Sequence, residues 1–299
     1  MTQDEAVTAN AARFLQDTVV AYLAESPLNR LKDIDSSPIY DEPLVGFADG
    51  DNPLFQEYKT IIGQFHLTPR EIMEGHLQEL GAEMHPGKVS VISIILPLAK
   101  SVRLSNAIET QGPSLKWNHA RWQGQACVDD VARYVVSALR DRGFHAVAPD
   151  LFAGFKTFDR PDGRCSNWSQ RHAAYAAGLG TFSLSDGFIT TRGIALRCTS
   201  VVTDLDLPAT LRKYSSHLAN CPFFVDGSCG ACIQRCPAGA ISALGHDKVK
   251  CQEHVSVVQK AWLEKPGYIG KYAGCGLCQT KVPCEARIPI RALKASSAR

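Results

Sequence analysis

The chain has 299 residues, of which 45% are hydrophobic and 21% are charged, and its formal net charge is +2. These values are typical of a globular chain with a substantial core, in one large domain or two modest ones. The small net charge gives no reason to expect nucleic acid as a partner, and the longest apolar run, 89–99, is too short for a membrane helix. The first ten residues lack the features of a secretory signal, so we expect a cytoplasmic protein with reduced thiols.

The first part of the chain, residues 1–85, predicts a helical region that packs on the core. Apolar residues at helical spacing predict an amphipathic helix over 4–25. Residues 26–56 are rich in Pro, Asp and Gly and predict an irregular surface segment. A second helix is predicted from Pro69 to about Leu80, with Thr68 as its N-cap and Glu71 in its first turn.

Residues 86–210 predict alternating strands and helices. Residues 89–96 are apolar almost throughout and mostly β-branched, as expected of a central strand buried on both faces. An apolar stripe predicts a helix over 125–142 with Gly143 as its C-cap, followed by a strand over 144–148. After a variable loop, 150–165, strands are predicted at 187–190 and 194–203, with a helix near 208–219. This order indicates an α/β domain within an α+β chain.

The segment 166–182, with the sequence SNWSQRHAAYAAGLGTF, is rich in small residues. Asn167 and Gln170 predict a capping box, and 173–177 predict a tight helix that ends at Gly178 and Gly180. Small side chains at these positions allow a backbone or a planar ligand to approach closely.

Eight of the 11 cysteines lie between Cys221 and Cys284, and the first four read C-x7-C-x2-C-x3-C-P. This is the signature of bacterial ferredoxin loops, in which the Cys before Pro ligates the neighbouring cluster. We therefore predict two [4Fe–4S] clusters in a ferredoxin-like domain over 211–290. The first would be held by Cys221, Cys229, Cys232 and Cys284, and the second by Cys236, Cys251, Cys275 and Cys278.

Two positions depart from the ferredoxin pattern, and two other interpretations compete with it. Asp226 occupies the usual place of the first Cys, and Glu285 follows Cys284 where a Pro is usual. Paired C-x2-C motifs can hold structural zinc, although zinc sites do not need the C-x3-C-P continuation. A disulfide framework belongs to short secreted chains, whereas this chain is long and has an odd number of thiols.

On these residues the chain resembles the epoxyqueuosine reductase-like family, whose wider relatives include the reductive dehalogenases. The resemblance rests on RHAAYAAGLG (171–180), GFITTRG (187–193), VVTDLDL (201–207) and the cysteine block. It implies a nitroreductase-like α/β domain that binds cobalamin, followed by a bacterial-type two-cluster ferredoxin domain. It also implies that the clusters pass electrons to cobalt, that reduced cobalt acts on an electrophile, and that a nearby acid supplies a proton.

Three departures from this family favour a small-molecule substrate over tRNA. The family's proton-donating Asp aligns with Arg164, although Asp162 and Cys165 lie close by. The Trp and Lys that usually follow AGLG are replaced by Thr181 and its neighbours. The tRNA-modifying relatives carry a helical-repeat extension, whereas this sequence ends 15 residues after Cys284, with a basic tail over 291–299 that we interpret as solvated.

Three residues are candidates for the proton donor or for an extra reactive group. Tyr175 could protonate a leaving group, Asp162 is the displaced acid, and Cys165 precedes a helix N-terminus that would lower its pKa. We interpret His172 as a packing residue, and Cys127 and Cys198 as small buried hydrophobes.

The corrinoid has no sequence fingerprint of its own in this chain. D-x-H-x-x-G is absent, so either the cobalt has no protein ligand or no corrinoid binds, and the glycine patterns of dinucleotide sites are absent too. Our candidates for corrinoid contacts are Gly178, Gly180, Thr181 and Arg197.

The first hypothesis is therefore a cobalamin-dependent, two-cluster reductase of a small electrophile, supplied with electrons by an external donor such as ferredoxin or flavodoxin. The second is an electron-transfer protein without catalysis of its own. The third is a protein that reduces cobalamin for another enzyme. Bound corrinoid separates the first and third hypotheses from the second, and turnover of a substrate separates the first from the third.

Overall fold

The computed structural model describes residues 3–82 and 87–289. The helices are α1 (Gln3–Glu25), α2 (Leu54–Ile61), α3 (Pro69–Glu79), α4 (Lys100–Ala107), α5 (Leu115–Arg140), α6 (Gln170–Ala176), α7 (Pro222–Asp226), α8 (Ala231–Arg235) and α9 (Lys248–Ser256). The strands are β1 (Leu44–Asp49), β2 (Ser90–Pro97), β3 (Ala146–Val147), β4 (Thr157–Arg160), β5 (Gly163–Ser166), β6 (Gly180–Phe182), β7 (Phe188–Thr190), β8 (Leu196–Thr203), β9 (Ile241–Ser242) and β10 (Gly245–His246). Short 3-10 helices span Pro149–Leu151, Val258–Glu264 and Leu277–Gln279. The basic tail predicted over 291–299 lies outside the described residues.

A four-stranded sheet in the order β1-β2-β8-β3 forms the centre of the fold. All three strand pairs are antiparallel, and β2 pairs with β8 along its whole length. Every residue of β2 is buried, so the predicted central strand is confirmed. The predicted strand at 144–148 is reduced to the two residues of β3, which pair with the end of β8.

The sheet is buried on both faces because alternate side chains of its strands pack against different helices. Ile92, Ile94 and Val201 belong to a core that includes apolar residues of α1 and α5. Val91 and Val202 belong to a second core that includes residues of α2, α3 and α6. The chain is therefore a mixed α/β structure with helices on both sides of an antiparallel sheet.

The sequence predicted the first residue of helix α3 correctly but not that of helix α5. α3 begins with the predicted Thr68 cap, and the side chain of Glu71 accepts a hydrogen bond from the Thr68 amide at 2.7 Å. α5 begins ten residues before the predicted start, with Ser114 as its N-cap. Its first turns bury Trp117, Asn118 and His119, and these aromatic and polar side chains interrupt the apolar stripe.

Two segments differ from their predictions near the edge of the sheet. Residues 26–56 are not irregular throughout, because they include the edge strand β1 and the start of α2. Residues 208–219 do not form the predicted helix. Instead, the Thr210 amide donates to the carbonyl of Phe47 at 2.9 Å, and the Phe47 amide donates to the Thr210 hydroxyl at 2.9 Å, so this segment covers part of the β1 edge.

The capping box predicted at the start of α6 is wrong. Ser169 is the N-cap, and it makes no side-chain capping bond. The Asn167 side chain bonds backbone instead: it donates to Gly154 and accepts from Lys156, each at 2.8 Å. These bonds join the start of α6 to the loop that leads into the β4–β5 hairpin.

The cysteine region, which we define as residues 221–284, packs against the sheet layer through polar contacts. The Asn106 side chain at the end of α4 donates to the carbonyl of Cys275 at 3.3 Å. The Asn118 side chain of α5 donates to the carbonyls of Ile269 and Ala273 at 3.0 and 2.9 Å. Among the described residues, no helix is both long and apolar enough to cross a membrane.

Candidate functional site

The eight cysteines of the cysteine region come together in two groups of four. In the first group, burial chiefly raises the pKa of Cys284, and the nearby thiols of Cys221, Cys232 and Cys229 raise it further. In the second group, burial raises the pKa of Cys278, and the neighbouring thiols are those of Cys275, Cys251 and Cys236. The spacing of the cysteines predicts the same two sets, and their assignment to two clusters stays a prediction. Cys232 of the first group also lies near Cys278, so the two groups are adjacent.

The first group is assembled by a short helix and a tight reversal. Cys221 is the N-cap of α7, which ends at Gly227 in the left-handed conformation, with φ +70°. The chain then turns towards Cys229, and α8 carries Cys232. The helical turn shortens the path from Cys221 to Cys229, and this explains how the group forms although Asp226 occupies the usual position of the first Cys.

The loop between β7 and β8 holds Cys284 in the first group. The amide of Ile194 donates to the Cys284 carbonyl at 2.8 Å. The carboxylate of Glu285 pairs with Arg103 at 2.9 Å, and both side chains are mostly buried. Gly193 has φ +87°, and a Cβ there would lie 2.2 Å from the Glu285 carbonyl oxygen, so only glycine fits. Glu285 thus anchors the segment in which a ferredoxin usually has proline.

The donor set of each group fits a [4Fe–4S] cluster. All 11 thiols are free of disulfides. Within 3–82 and 87–289, no three or more His, Cys, Asp or Glu side chains are close enough to hold a single metal ion. A cubane differs from a single ion because its four thiolates bind four separate irons. The amide of Ala240 donates to the Sγ of Cys236 at 3.3 Å, a kind of bond that tunes cluster potential.

Two neighbouring cavities share part of their walls, and a thiol of the second group lines the first of them. The arginine cavity, of about 210 Å³, is lined by residues that include Arg121, Arg197, Tyr272 and Cys275. The inner cavity, of about 390 Å³, has Asp150 and Gln170 on its wall. Three residues, Leu196, Arg197 and Gln279, line both cavities. Cys275 thus lines one cavity, and Asp150 lines the neighbouring one.

Asp150 is the acid that this space contains, and sequence reasoning missed it. Burial raises the pKa of Asp150 to about 6, the neighbouring Gln170 amide counters part of this rise, and the charge of Asp129 adds to it. Its Oδ1 atom is buried with no hydrogen-bond partner among the described residues, and the same holds for both polar atoms of the Gln170 amide. The available sequence signal is an acid that closely follows a predicted strand. Asp150 lies in the 3-10 helix Pro149–Leu151, at the start of the stretch predicted as a variable loop.

The three residues predicted as catalytic do not meet in one place. Asp162 and Cys165 lie in the β4–β5 hairpin and line an outer cavity of about 510 Å³, which adjoins the inner cavity at Phe155, Ser166, Ser169 and Arg171. Asp162 is exposed, and its bond with Arg160 lowers its pKa, which does not suit a proton donor. Tyr175 lines a different cavity, of about 410 Å³, and the guanidinium of Arg212 lies over its ring.

Of the four predicted corrinoid contacts, only Arg197 lines the arginine and inner cavities. A Cβ at Gly178 would approach the Leu211 carbonyl oxygen at 3.1 Å, and one at Gly180 would lie 2.2 Å from that of Ile189. The Thr181 hydroxyl accepts a hydrogen bond from the Asn220 amide at 2.9 Å. The groups that lie close to Gly178 and Gly180 are thus backbone atoms of this chain rather than a planar ligand.

Solved structures with a similar arrangement belong to two kinds of reductase. A reductive dehalogenase that carries out B12-dependent dehalogenation is 14% identical, over 85% of this chain and 31% of that one, with a TM-score of 0.50. A selenomethionine-labelled epoxyqueuosine reductase is 14% identical, over 92% of this chain and 66% of that one, with a TM-score of 0.49. A catabolic reductive dehalogenase is 15% identical, over 73% of this chain and 28% of that one, with a TM-score of 0.48.

The first of these similarities establishes a shared fold with the B12-dependent dehalogenase. This dehalogenase belongs to one of the two kinds of protein that the sequence resembles, so the resemblance to the reductive dehalogenases is confirmed at the level of the fold. The chain spans only 28% to 31% of the length of the two reductive dehalogenases. No protein-family model matches the chain, and no curated protein matches it.

Proposed function

We propose that this protein is a cobalamin-dependent reductase that draws electrons through two [4Fe–4S] clusters and reduces a small electrophilic molecule. The observation that carries the proposal is the position of Cys275. This thiol belongs to the second group and also lines the arginine cavity, which shares Leu196, Arg197 and Gln279 with the wall of the inner cavity, where Asp150 lies. When bound, the corrinoid would supply a cobalt ion that passes electrons to the substrate.

The two groups of thiols would form a short path for electrons. Cys232 and Cys278 are neighbours across the groups, and only the second group reaches the cavity wall, through Cys275. We assign the first group to electron entry from an external donor, such as ferredoxin or flavodoxin, and the second group to delivery. Since the cluster ligands must be thiolates, the positive charge of iron would offset the cost of burying them.

Asp150 would hold the proton that the reduction consumes. A carboxyl group with a pKa of about 6 retains its proton to a higher pH than an exposed aspartic acid does. Its buried Oδ1 atom has no partner within the described part of the chain, so it is free to bond a ligand in the inner cavity. Asp150 therefore replaces Asp162 as our candidate for the general acid.

The wall of the inner cavity carries amide groups that suit the edge of a corrinoid. The corrin ring carries amide side chains, and Gln170 and Gln279 lie on the wall as partners, whereas the Gln125 amide already bonds Arg197 and Asp129. The Gln170 amide has no partner within the described ranges. Volumes of about 390 and 510 Å³ for the inner and outer cavities are in the range of small-molecule sites.

The first test is the metal content of protein produced anaerobically with cobalamin supplied. We expect about eight irons, about eight sulfides and about one cobalt per chain, with the absorption spectrum of iron–sulfur clusters. The same iron content without cobalt would overturn the reductase and favour an electron-transfer protein. Zinc in place of iron would overturn both.

The second test compares Asp150→Asn with Asp162→Asn in holoprotein. A panel of organic halides and epoxides would be screened with a reduced viologen as electron donor and its oxidation as readout. Asp150→Asn is expected to lower turnover at least about 100-fold, because it removes the proton donor. Iron and cobalt content should stay unchanged, and Asp162→Asn should keep its activity. Equal activity in wild type and Asp150→Asn would remove Asp150 from the mechanism.

A further inference from the structure

Two arginines face the arginine cavity without a carboxylate partner. Arg121 comes from α5 and Arg197 from β8, and both are half-buried. Arg121 donates to the hydroxyl of Tyr272, and Arg197 donates to the side-chain oxygen of Gln125 at 2.8 Å. Both partners are neutral, and no ion pair joins either guanidinium to an acid among the residues that the structure describes.

The surroundings of Arg121 stabilise its position but do not neutralise its charge. Its guanidinium lies 5.3 Å from the ring centre of Trp122 and 5.2 Å from that of Tyr272. These rings attract a cation weakly compared with a buried carboxylate. Burial and the nearby charge of Arg197 both lower the pKa of Arg121. The two cations therefore repel each other across a partly buried space.

Two other half-buried arginines of this chain, Arg103 and Arg235, have compensating partners. Arg103 pairs with Glu285 at 2.9 Å, and the two side chains are 14% and 17% exposed. Arg235 donates to the backbone carbonyls of Leu277, Thr280, Glu109 and Asn106. Arg121 and Arg197 differ because the acceptors within their reach are few and neutral, while a cavity lies between them.

We propose that the arginine cavity binds an anionic group, a phosphate or a carboxylate, of the molecule that occupies this cavity and the neighbouring inner cavity. Guanidinium groups bind both anions in a bidentate manner, and a bound anion would relieve the repulsion between the two cations. The volume of about 210 Å³ suits such a group rather than a whole ligand. Anion binding stands on these two residues alone, and only the identity of the larger molecule rests on the proposed function.

Two sources of the anion are compatible with this chemistry. One is an acidic substrate, whose charged group would be held at the arginines while its reactive end extends into the inner cavity. The other is the phosphodiester in the nucleotide loop of cobalamin. The two are separable because cobinamide lacks that phosphodiester.

The first experiment measures thermal unfolding of the purified protein in increasing inorganic phosphate, at constant ionic strength. We expect the Tm of wild type to rise with phosphate, because a ligand of the folded state alone stabilises it. The rise should be lost in Arg197→Gln and kept in Arg197→Lys, which preserves the charge. Arg133→Gln, an exposed position on the same helix as Arg121, is the matched control and should behave as wild type. The absence of a rise in wild type, or an equal rise in Arg197→Gln, would overturn the anion site.

The second experiment measures the binding of cobalamin and of cobinamide by absorbance. If the anion is the cofactor's phosphodiester, Arg197→Gln should weaken cobalamin binding at least about tenfold and leave cobinamide unchanged. If it belongs to the substrate, both corrinoids should bind the variant as they bind wild type, and the KM for acidic electrophiles should rise. Protection by phosphate in a protein that binds neither corrinoid would overturn the reductase and leave the anion site in place.

Discussion

The four-stranded sheet is stabilised by different interactions from those that stabilise the cysteine region. β2 and β8 are paired over eight residues and are covered on both faces by apolar side chains. In the cysteine region, helices α7 and α8 have five residues each and α9 has nine, and helices of this length are too short to be stable alone. The conformation of this region depends on a small apolar cluster that includes Ile241 and Val282, on thiols that converge and on hydrogen bonds to α4 and α5. The sheet can thus fold by burying apolar surface, whereas we expect the cysteine region to need its bound clusters.

The largest effect should follow removal of one thiol from the second group. Cys278→Ser is expected to reduce iron from about eight to about four per chain, since one cluster loses a ligand. Hydrogen exchange in 221–284 should accelerate while the strands β2 and β8 stay protected. Cys165→Ser is the control, because this thiol lies in the β4–β5 hairpin outside both groups. Equal iron content in the two variants would contradict the assignment of Cys278.

The next effect is expected in the sheet. Ile92 is completely buried in β2, so Ile92→Ala should lower the free energy of unfolding by about 4 kcal/mol. Ile108→Ala is the matched control, since Ile108 is 80% exposed. Urea denaturation would measure both, and iron content below the transition should match that of wild type. Loss of iron from folded Ile92→Ala would show that the two regions are not independent.

A smaller effect is expected at the contact between the regions. Arg235 donates to the carbonyls of Glu109 and Thr280 at 2.8 and 3.0 Å, and so joins the end of α4 to the cysteine region. Arg235→Met should cost about 2 kcal/mol, because buried carbonyls lose their donor. The exposed Arg133→Met is its control in the same denaturation experiment. A change below about 0.5 kcal/mol would mean that water replaces the guanidinium.

The smallest expected effect is the change in stability with pH that His66 causes, and this residue lies outside the cysteine region. Burial, helped by the charge of Lys59, lowers the pKa of His66 to about 4, and its Nε2 accepts a hydrogen bond from the Ser169 amide at 3.2 Å. As pH falls from about 6.5 to about 4, the unfolded state binds the proton first, so stability falls.

The expected loss at pH 5.5, relative to pH 7.5, is about 1 kcal/mol. His66→Gln should reduce this dependence, whereas the exposed His217→Gln should not. Denaturation midpoints at the two pH values give the measurement. An identical pH dependence in wild type and His66→Gln would assign the effect to other groups.

The elements that the sequence predicted well are those decided by neighbouring residues. The Thr68 cap of α3 and the buried strand β2 follow from local chemistry and from an unbroken apolar pattern. The edge strand β1 and the irregular segment 208–219 were predicted wrongly because each is defined by its partner, and the bonds between Phe47 and Thr210 join residues far apart in the chain.

The cysteine spacing alone predicts two sets of four thiols, because spacing limits which cysteines can reach a common centre. Only the tertiary structure showed that Asp150 lines a cavity whose wall shares Arg197 and Gln279 with the cavity that Cys275 lines. It also showed that Arg121 and Arg197, from a helix and a strand, line the same cavity. The physical reason is that burial and the charge of distant neighbours decide the chemistry of an acid or a cation, and neither is a property of the local sequence.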